Sequence, residues 1–248
     1  MALGLLDKLR TNSDVDLDQE VVRTFDFRGQ RAVELNDGIQ AIEYDMPRAA
    51  KETGAYILSE ALGFHCVPKT QIIINNQKKY ARQVIYEENT SPQIDYTSKS
   101  RKEEIAALDI FDFIVARDDA QEYDNSPLAK NHIIIDGRIV LVDFEFAFDS
   151  PRSNVFHIEQ VRGQQIPDYV IEGTKLFAED TQLQEDVRAR LSNSGLSELS
   201  IREVLERIEF LNSQFEDNRV TKITKKFISV VEQFVQSQNE KRRQPILT

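Results

Sequence analysis

The stretch that most restricts what this chain can become runs from Phe113 to Asp149, FIVARDDAQEYDNSPLAKNHIIIDGRIVLVDFEFAFD. Inside it the apolar runs HIII and RIVLVDF flank Asp136-Gly137, a pair that favours the tight turn of a β-hairpin. A hairpin brings its two ends together. Asn131, just before the first run, and Asp143, at the end of the second, are therefore expected side by side. The residues Ile139 to Val142 are apolar enough to be buried on both faces, and a carboxylate closing a buried strand needs a partner or a cation.

Asp118, Asn131 and Asp143 together match the chemistry of phosphoryl transfer. There, one Asp receives or orients the acceptor hydroxyl while an Asn and a second Asp hold magnesium against the nucleotide phosphates. An Asn carbonyl and a carboxylate are hard oxygen donors, and Mg2+ needs only one or two of them because phosphates and water complete its octahedron. Asp and Asn also start turns and cap helices, so spacing alone leaves a purely structural reading open.

A chain of 248 residues can bury a sizeable core as one domain or two lobes. Its net charge of -11 argues against nucleic acid or an anionic membrane as a broad electrostatic partner. The single cysteine, Cys66, rules out an internal disulfide, and a cytoplasmic location is the expectation. One Cys and the scattered His65, His132 and His157 offer no zinc spacing. No apolar run is long enough to insert into a bilayer.

Residues 1–20 read as a small helix, with Leu3, Leu5, Leu6 and Leu9 on it, followed by a loose acidic connector. Residues 21–88 form an N-lobe. VVRTFDF, QRAVEL and IQAIEY alternate as three antiparallel strands, and Pro47 opens the helix RAAKETGAYILSEALGF, which Gly63 ends. TQIII and KKYARQVIY follow as a strand pair turning at Asn75-Asn76. Residues 89–102 are polar, with one Pro, and read as an inter-lobe linker. Residues 103–248 form a mainly helical C-lobe, beginning with EEIAALDIFDFIVAR and ending in four more helices. Ser200 with Glu203 reads as a capping box for the third of these, with Ile201, Val204, Leu205 and Ile208 as its apolar stripe. Ile223, Phe227, Val230 and Phe234 stripe the last. The expected plan is a bilobal α+β protein with a cleft between its lobes.

Two segments resemble a known group. KETGAYILSEALGFHCVPKTQ is similar to the helix and following strand of HipA-type kinases and of bacterial proteins related to phosphoinositide kinases. RDDAQEYDNSPLAKNH with VDFEFAF resembles their catalytic loop and Asp-bearing strand. The resemblance implies a protein-kinase-like fold that binds ATP and Mg2+. It implies Asp118 as the catalytic-loop Asp, with Asp119 or Asp124 as substitutes, and Asn131 and Asp143 as metal ligands. Glu52 becomes the helix Glu that orients a phosphate-binding Lys, and the segment from Gln83 through Ile85 to Glu87 becomes the strand beside adenine.

The lysine itself departs from the pattern. IQAIEY carries Glu43 where the resemblance puts it, and no Lys occurs between Lys8 and Lys51. Arg31 and Lys51 are the candidate replacements. Glu145 also stands where a Gly is usual.

Three functions follow: an ATP-dependent kinase acting on a protein or small-molecule hydroxyl; a pseudokinase that serves as a nucleotide-binding or protein-interaction module; and a metal-dependent hydrolase built on Asp143, Glu145 and Asp149. In the last, strand alternation would put Asp143 and Glu145 on one face.

Overall fold

The computed structural model describes residues 15–86, 98–117, 131–135, 137–148, 161–217 and 219–243. The expected N-terminal helix on Leu3, Leu5, Leu6 and Leu9 lies outside them, as do Glu87, Asp118, Asp119, Asp124, Asp136 and Asp149.

The first half folds as the alternation dictates. Strands β1 (Val21–Phe27), β2 (Gln30–Leu35) and β3 (Gln40–Asp45) are followed by helix α1 (Arg48–Ala61) and then by β4 (Thr70–Asn75) and β5 (Lys78–Val84). They make one antiparallel sheet in the order β1-β2-β3-β5-β4, so α1 is the crossover between its middle and its edge. Gly63, at φ +73, lies just past the C-cap of α1 in the left-handed conformation that ends helices. The β4–β5 turn sits one residue later than the sequence suggests. Asn76 and Gln77 both take positive φ, the geometry of a turn whose twist matches the strands beside it.

The sheet has two chemically different faces. Its outer face carries Val33, Leu35, Ala41, Ile73 and Val84 around Leu17, which is fully buried. Residues 15–20 are thus no loose connector. The Leu17 N–H donates to Gln71 Oε1 at 2.8 Å, and Arg82 donates to the carbonyls of Leu17 and Gln19. The inner face carries Ile42, Tyr44, Ile72 and Ala81 against Ala49 of α1.

The C-lobe comprises α2 (Lys99–Val115), a hairpin of β6 (His132–Ile135) and β7 (Arg138–Leu141), and helices α3 (Asp168–Glu179), α4 (Thr181–Ser194), α5 (Glu198–Glu216) and α6 (Lys225–Arg243). A single apolar core runs through α1, α2, the hairpin and these helices. The α1 helix packs against β3, β4 and β5 on one side and α4 on the other, so it belongs to both lobes. At Gly173 the approach of α3 to the end of α1 is so close that a Cβ would sit 2.1 Å from the Leu62 carbonyl oxygen. The architecture is a bilobal α+β fold with an antiparallel N-lobe sheet and a helical C-lobe.

Several boundaries differ from expectation. Helix α2 begins at Lys99, inside the segment that reads as linker. The cap of α5 is Ser197, whose hydroxyl accepts the Ser200 N–H at 3.1 Å. Ser200 instead donates its hydroxyl to the Phe148 carbonyl, and Glu203 turns inward to Arg207 and Arg242. On α6 the buried stripe is Phe227, Ile228, Val231 and Val235, with Val230 and Phe234 only half-buried. Strand β7 stops at Leu141, so Asp143 and Glu145 stand beyond it rather than alternating along it. No helix among the described residues is long and apolar enough to cross a membrane.

Candidate functional site

The site is assembled where α1 meets the residues after β7. Glu52 lies on the inward side of α1 and is completely buried. Its Oε1 accepts the backbone N–H of Phe144 at 3.0 Å and Arg48 Nε at 3.4 Å, and its Oε2 accepts Gln83 Nε2 at 3.3 Å. Gln83, on the inner face of β5, also donates to Thr70 Oγ1 and accepts the Tyr44 hydroxyl at 3.2 Å. Tyr44, Gln83, Thr70 and Glu52 thus form a buried polar chain from the sheet to the helix, and its last link reaches the residue after Asp143.

Arg48, one turn before Glu52, spans the open side of this chain. It donates to Asp143 Oδ1 at 3.1 Å and to Glu145 Oε2 at 3.4 Å, and its guanidinium lies 4.5 Å from the centre of the Tyr44 ring. That distance suits a cation–π contact. Burial works against the Arg48 charge, yet Glu52, Asp143 and Glu145 together outweigh it and hold its pKa above the ordinary value. Glu52 gains less. Burial pushes its carboxyl up to about 7, against the opposing pull of Arg48 and the Phe144 N–H. An ion pair normally lowers an acid's pKa; here one cation is divided among three carboxylates.

Asp143 has φ +64, a left-handed conformation that is uncommon for residues with a side chain and concentrates at functional sites. Arg117 fixes the base of the hairpin. Its buried guanidinium donates to the carbonyls of Asn131 (2.7 Å) and Val142 (3.2 Å) and to Asp112 Oδ1 (3.2 Å), and it lies 4.8 Å from the centre of the Phe144 ring. The Val142 N–H also donates to the Asn131 carbonyl at 3.0 Å. Asn131 and the residue before Asp143 are therefore hydrogen-bonded neighbours, the convergence that the Asp-Gly turn implies. Neither carboxylate oxygen of Asp109, on α2, has a hydrogen-bond partner, and burial pushes its pKa well above the usual carboxylate range.

The other expected residues divide between this cluster and other places. Lys51 Nζ donates to the Glu145 carbonyl at 2.6 Å, on the edge of the cluster. Arg31 is on the outer face of the sheet, 2.6 Å from Glu43, which also accepts Arg82 at 3.1 Å. These three residues line a pocket of about 390 Å3 on that face. Glu43 thus points away from the Glu52 cluster, and the inward residues of β3 are Ile42 and Tyr44. The Ile85 N–H donates to the Gln40 carbonyl at 2.8 Å, continuing the β3–β5 pairing. Glu87 and Asp118 lie outside the described residues. Reading the sequence missed Arg48, Tyr44 and Arg117. Only Arg48 left a signal there, as the i,i+4 partner of Glu52.

With respect to a metal, the described residues hold no group of three or more His, Cys, Asp or Glu side chains able to cage one. At the hairpin base the partly exposed carboxylate of Asp143 is a hard oxygen donor, and Mg2+ bound mainly through phosphates and water needs only one or two of those from the protein.

No family model matches the sequence, and no curated protein matches it. Solved structures do. The Golgi casein kinase overlays with a TM-score of 0.51 at 11% identity, over 87% of this chain and 78% of that one. The same kinase with Mn/ADP bound overlays with a TM-score of 0.52 at 11% identity, over 85% and 77%. The chain has a protein-kinase-like fold. A Helicobacter pylori proinflammatory kinase, CtkA, matches over 88% of this chain and 96% of its own at 10% identity, with a TM-score of 0.45. At these identities the shared property is the fold, and the HipA-type kinases are not singled out from the wider kinase-like group.

Proposed function

We propose that this protein binds ATP with Mg2+ in the cleft between its lobes and transfers a phosphoryl group to a protein or small-molecule hydroxyl. The observation that carries this reading is the buried Glu52. It ties the N-lobe helix to the backbone N–H directly after Asp143, so the part of the cleft that would hold phosphates and the part that would hold metal are positioned by one side chain. In this reading Asn131 and Asp143 hold Mg2+, which would neutralise charge on the phosphates, and Asp118 orients the acceptor hydroxyl. Lys51 and the residues from Gln83 to Glu87 border the nucleotide. Arg31, held by Glu43 on the outer face, is no part of it.

A nucleotide-binding module without transfer is the second reading. It is favoured by the absence of a lysine from the inward positions of β3, which are Ile42 and Tyr44. Both readings require ATP to raise the melting temperature in the presence of Mg2+, because a ligand specific to the folded state stabilises it by about 2.7 kcal/mol at a hundred times its Kd. In Asp143→Asn the Mg2+-dependent part of that shift should vanish. No shift in the wild type at millimolar ATP and Mg2+ rules out both readings. Incubation with labelled ATP then separates them: label that appears with the wild type and is lost in Asp143→Asn marks transfer, and equal label in both marks a source other than this site.

A further inference from the structure

We infer that Arg48 is the phosphate-binding cation of this cleft, supplied by the first turn of α1 in place of a lysine on β3. The inference rests on the nucleotide reading above and adds a residue to it.

A polyanionic ligand beside Asp143 and Glu52 needs a positive charge that is near, held in place and reachable. The described cations around the sheet and hairpin can be compared on those terms. Arg31 and Arg82 are on the outer face with Glu43. Arg117 is buried beneath the hairpin, held by two backbone carbonyls and Asp112. Lys51 reaches the rim through the Glu145 carbonyl. Arg48 alone among them contacts Glu52 and Asp143 together, and its side chain keeps 23% exposure.

Its position is built rather than incidental. The inward slot on β3 is filled by Tyr44, whose hydroxyl is held by Gln83 and whose ring carries the guanidinium. Glu52 fixes the Nε side of the group and leaves the two terminal nitrogens on the acidic residues of the cleft. Those two nitrogens form a planar fork suited to phosphate oxygens. With Asp143 engaged by Mg2+, Arg48 would lose one of its three carboxylate partners and could offer its terminal nitrogens to phosphate, with Glu52 and Tyr44 still supporting it.

The test uses Arg48→Gln, which keeps a side chain able to hydrogen-bond but removes the charge, and Arg48→Lys, which keeps the charge. The unliganded melting temperature of each is measured first, then Mg·ATP affinity by titration calorimetry. A charge-assisted contact to phosphate predicts that Arg48→Gln weakens Mg·ATP binding at least tenfold and that Arg48→Lys, which keeps the charge but not the fork, recovers part of the loss. Unchanged affinity in Arg48→Gln overturns the assignment. So does an equal loss in both variants, which would mark Arg48 as a structural brace. A wild type that binds no Mg·ATP is a different failure: it overturns the nucleotide reading and this inference with it.

Discussion

Among the described residues two buried glutamates pair with an arginine four residues away, and they behave differently. Glu203 on α5 meets Arg207 within the helix and Arg242 from α6. Arg207 in turn donates to Gln238 Oε1 at 3.1 Å and to the Ile114 carbonyl at 2.8 Å. Two cations serve one carboxylate, and every neighbour is scaffold. Glu52 on α1 shares its single arginine with Asp143 and Glu145, and burial raises its pKa to about 7. A balanced buried cluster binds three helices together. An under-compensated one, open on one side, leaves charge for a ligand to satisfy.

The comparison breaks most visibly at Arg207. Arg207→Ala strips the cluster of its bridge to α2 and α6, and losing one partner of a buried pair costs roughly 3–5 kcal/mol. Chemical denaturation should show that loss, while the protein that remains folded keeps its response to Mg·ATP. A variant that stays stable but no longer responds to nucleotide would erase the distinction between the two clusters.

Glu52 should declare itself through pH. Its folded pKa, near 7, stands above its ordinary 4.5, so the folded state holds the extra proton between those values. Its contribution is fully present below about pH 4.5 and is lost as pH rises through about 7, on the order of 3 kcal/mol in all. Asp109, also raised, pulls in the same direction. The readout is therefore the difference between wild type and Glu52→Gln, whose denaturation midpoints should converge at low pH and separate by pH 8, with the variant the more stable. Parallel curves would mean that Arg48 by itself compensates the buried charge of Glu52.

The smallest effect is expected at Tyr44. Tyr44→Phe keeps the ring under Arg48 and removes only the hydroxyl held by Gln83, a loss of about 1 kcal/mol. Its Mg·ATP affinity should stay within a few-fold of wild type. A large affinity loss without destabilisation would show that the polar chain through Gln83, rather than the ring, sets the position of Arg48.

The fold was legible in the sequence wherever local chemistry and tertiary packing agree. Alternation around Arg28-Gly29 and Asn36-Asp37-Gly38 marks the first three strands, and helical spacing with Gly63 marks α1. Errors arose where one residue type serves two purposes. Ser200 and Glu203 spell a capping box, but both side chains are drawn into tertiary contacts, and Ser197 takes the cap. The site was half legible for a similar reason. Asn131, Asp143 and Glu52 stand in motif-like surroundings, whereas Arg48 becomes significant only when the chain folds α1 against a residue 95 positions away. Glu43 was misleading because a strand alternates: one step along β3 exchanges the cleft face for the outer one.

Arg117 also makes the two strands of the hairpin depend on one side chain. By holding the Asn131 and Val142 carbonyls with one guanidinium, it pins the start of one strand and the residue past the end of the other to the chain just beyond α2. One substitution at Arg117 would therefore loosen both strands of the hairpin at once, and with them the ends that carry Asn131 and Asp143.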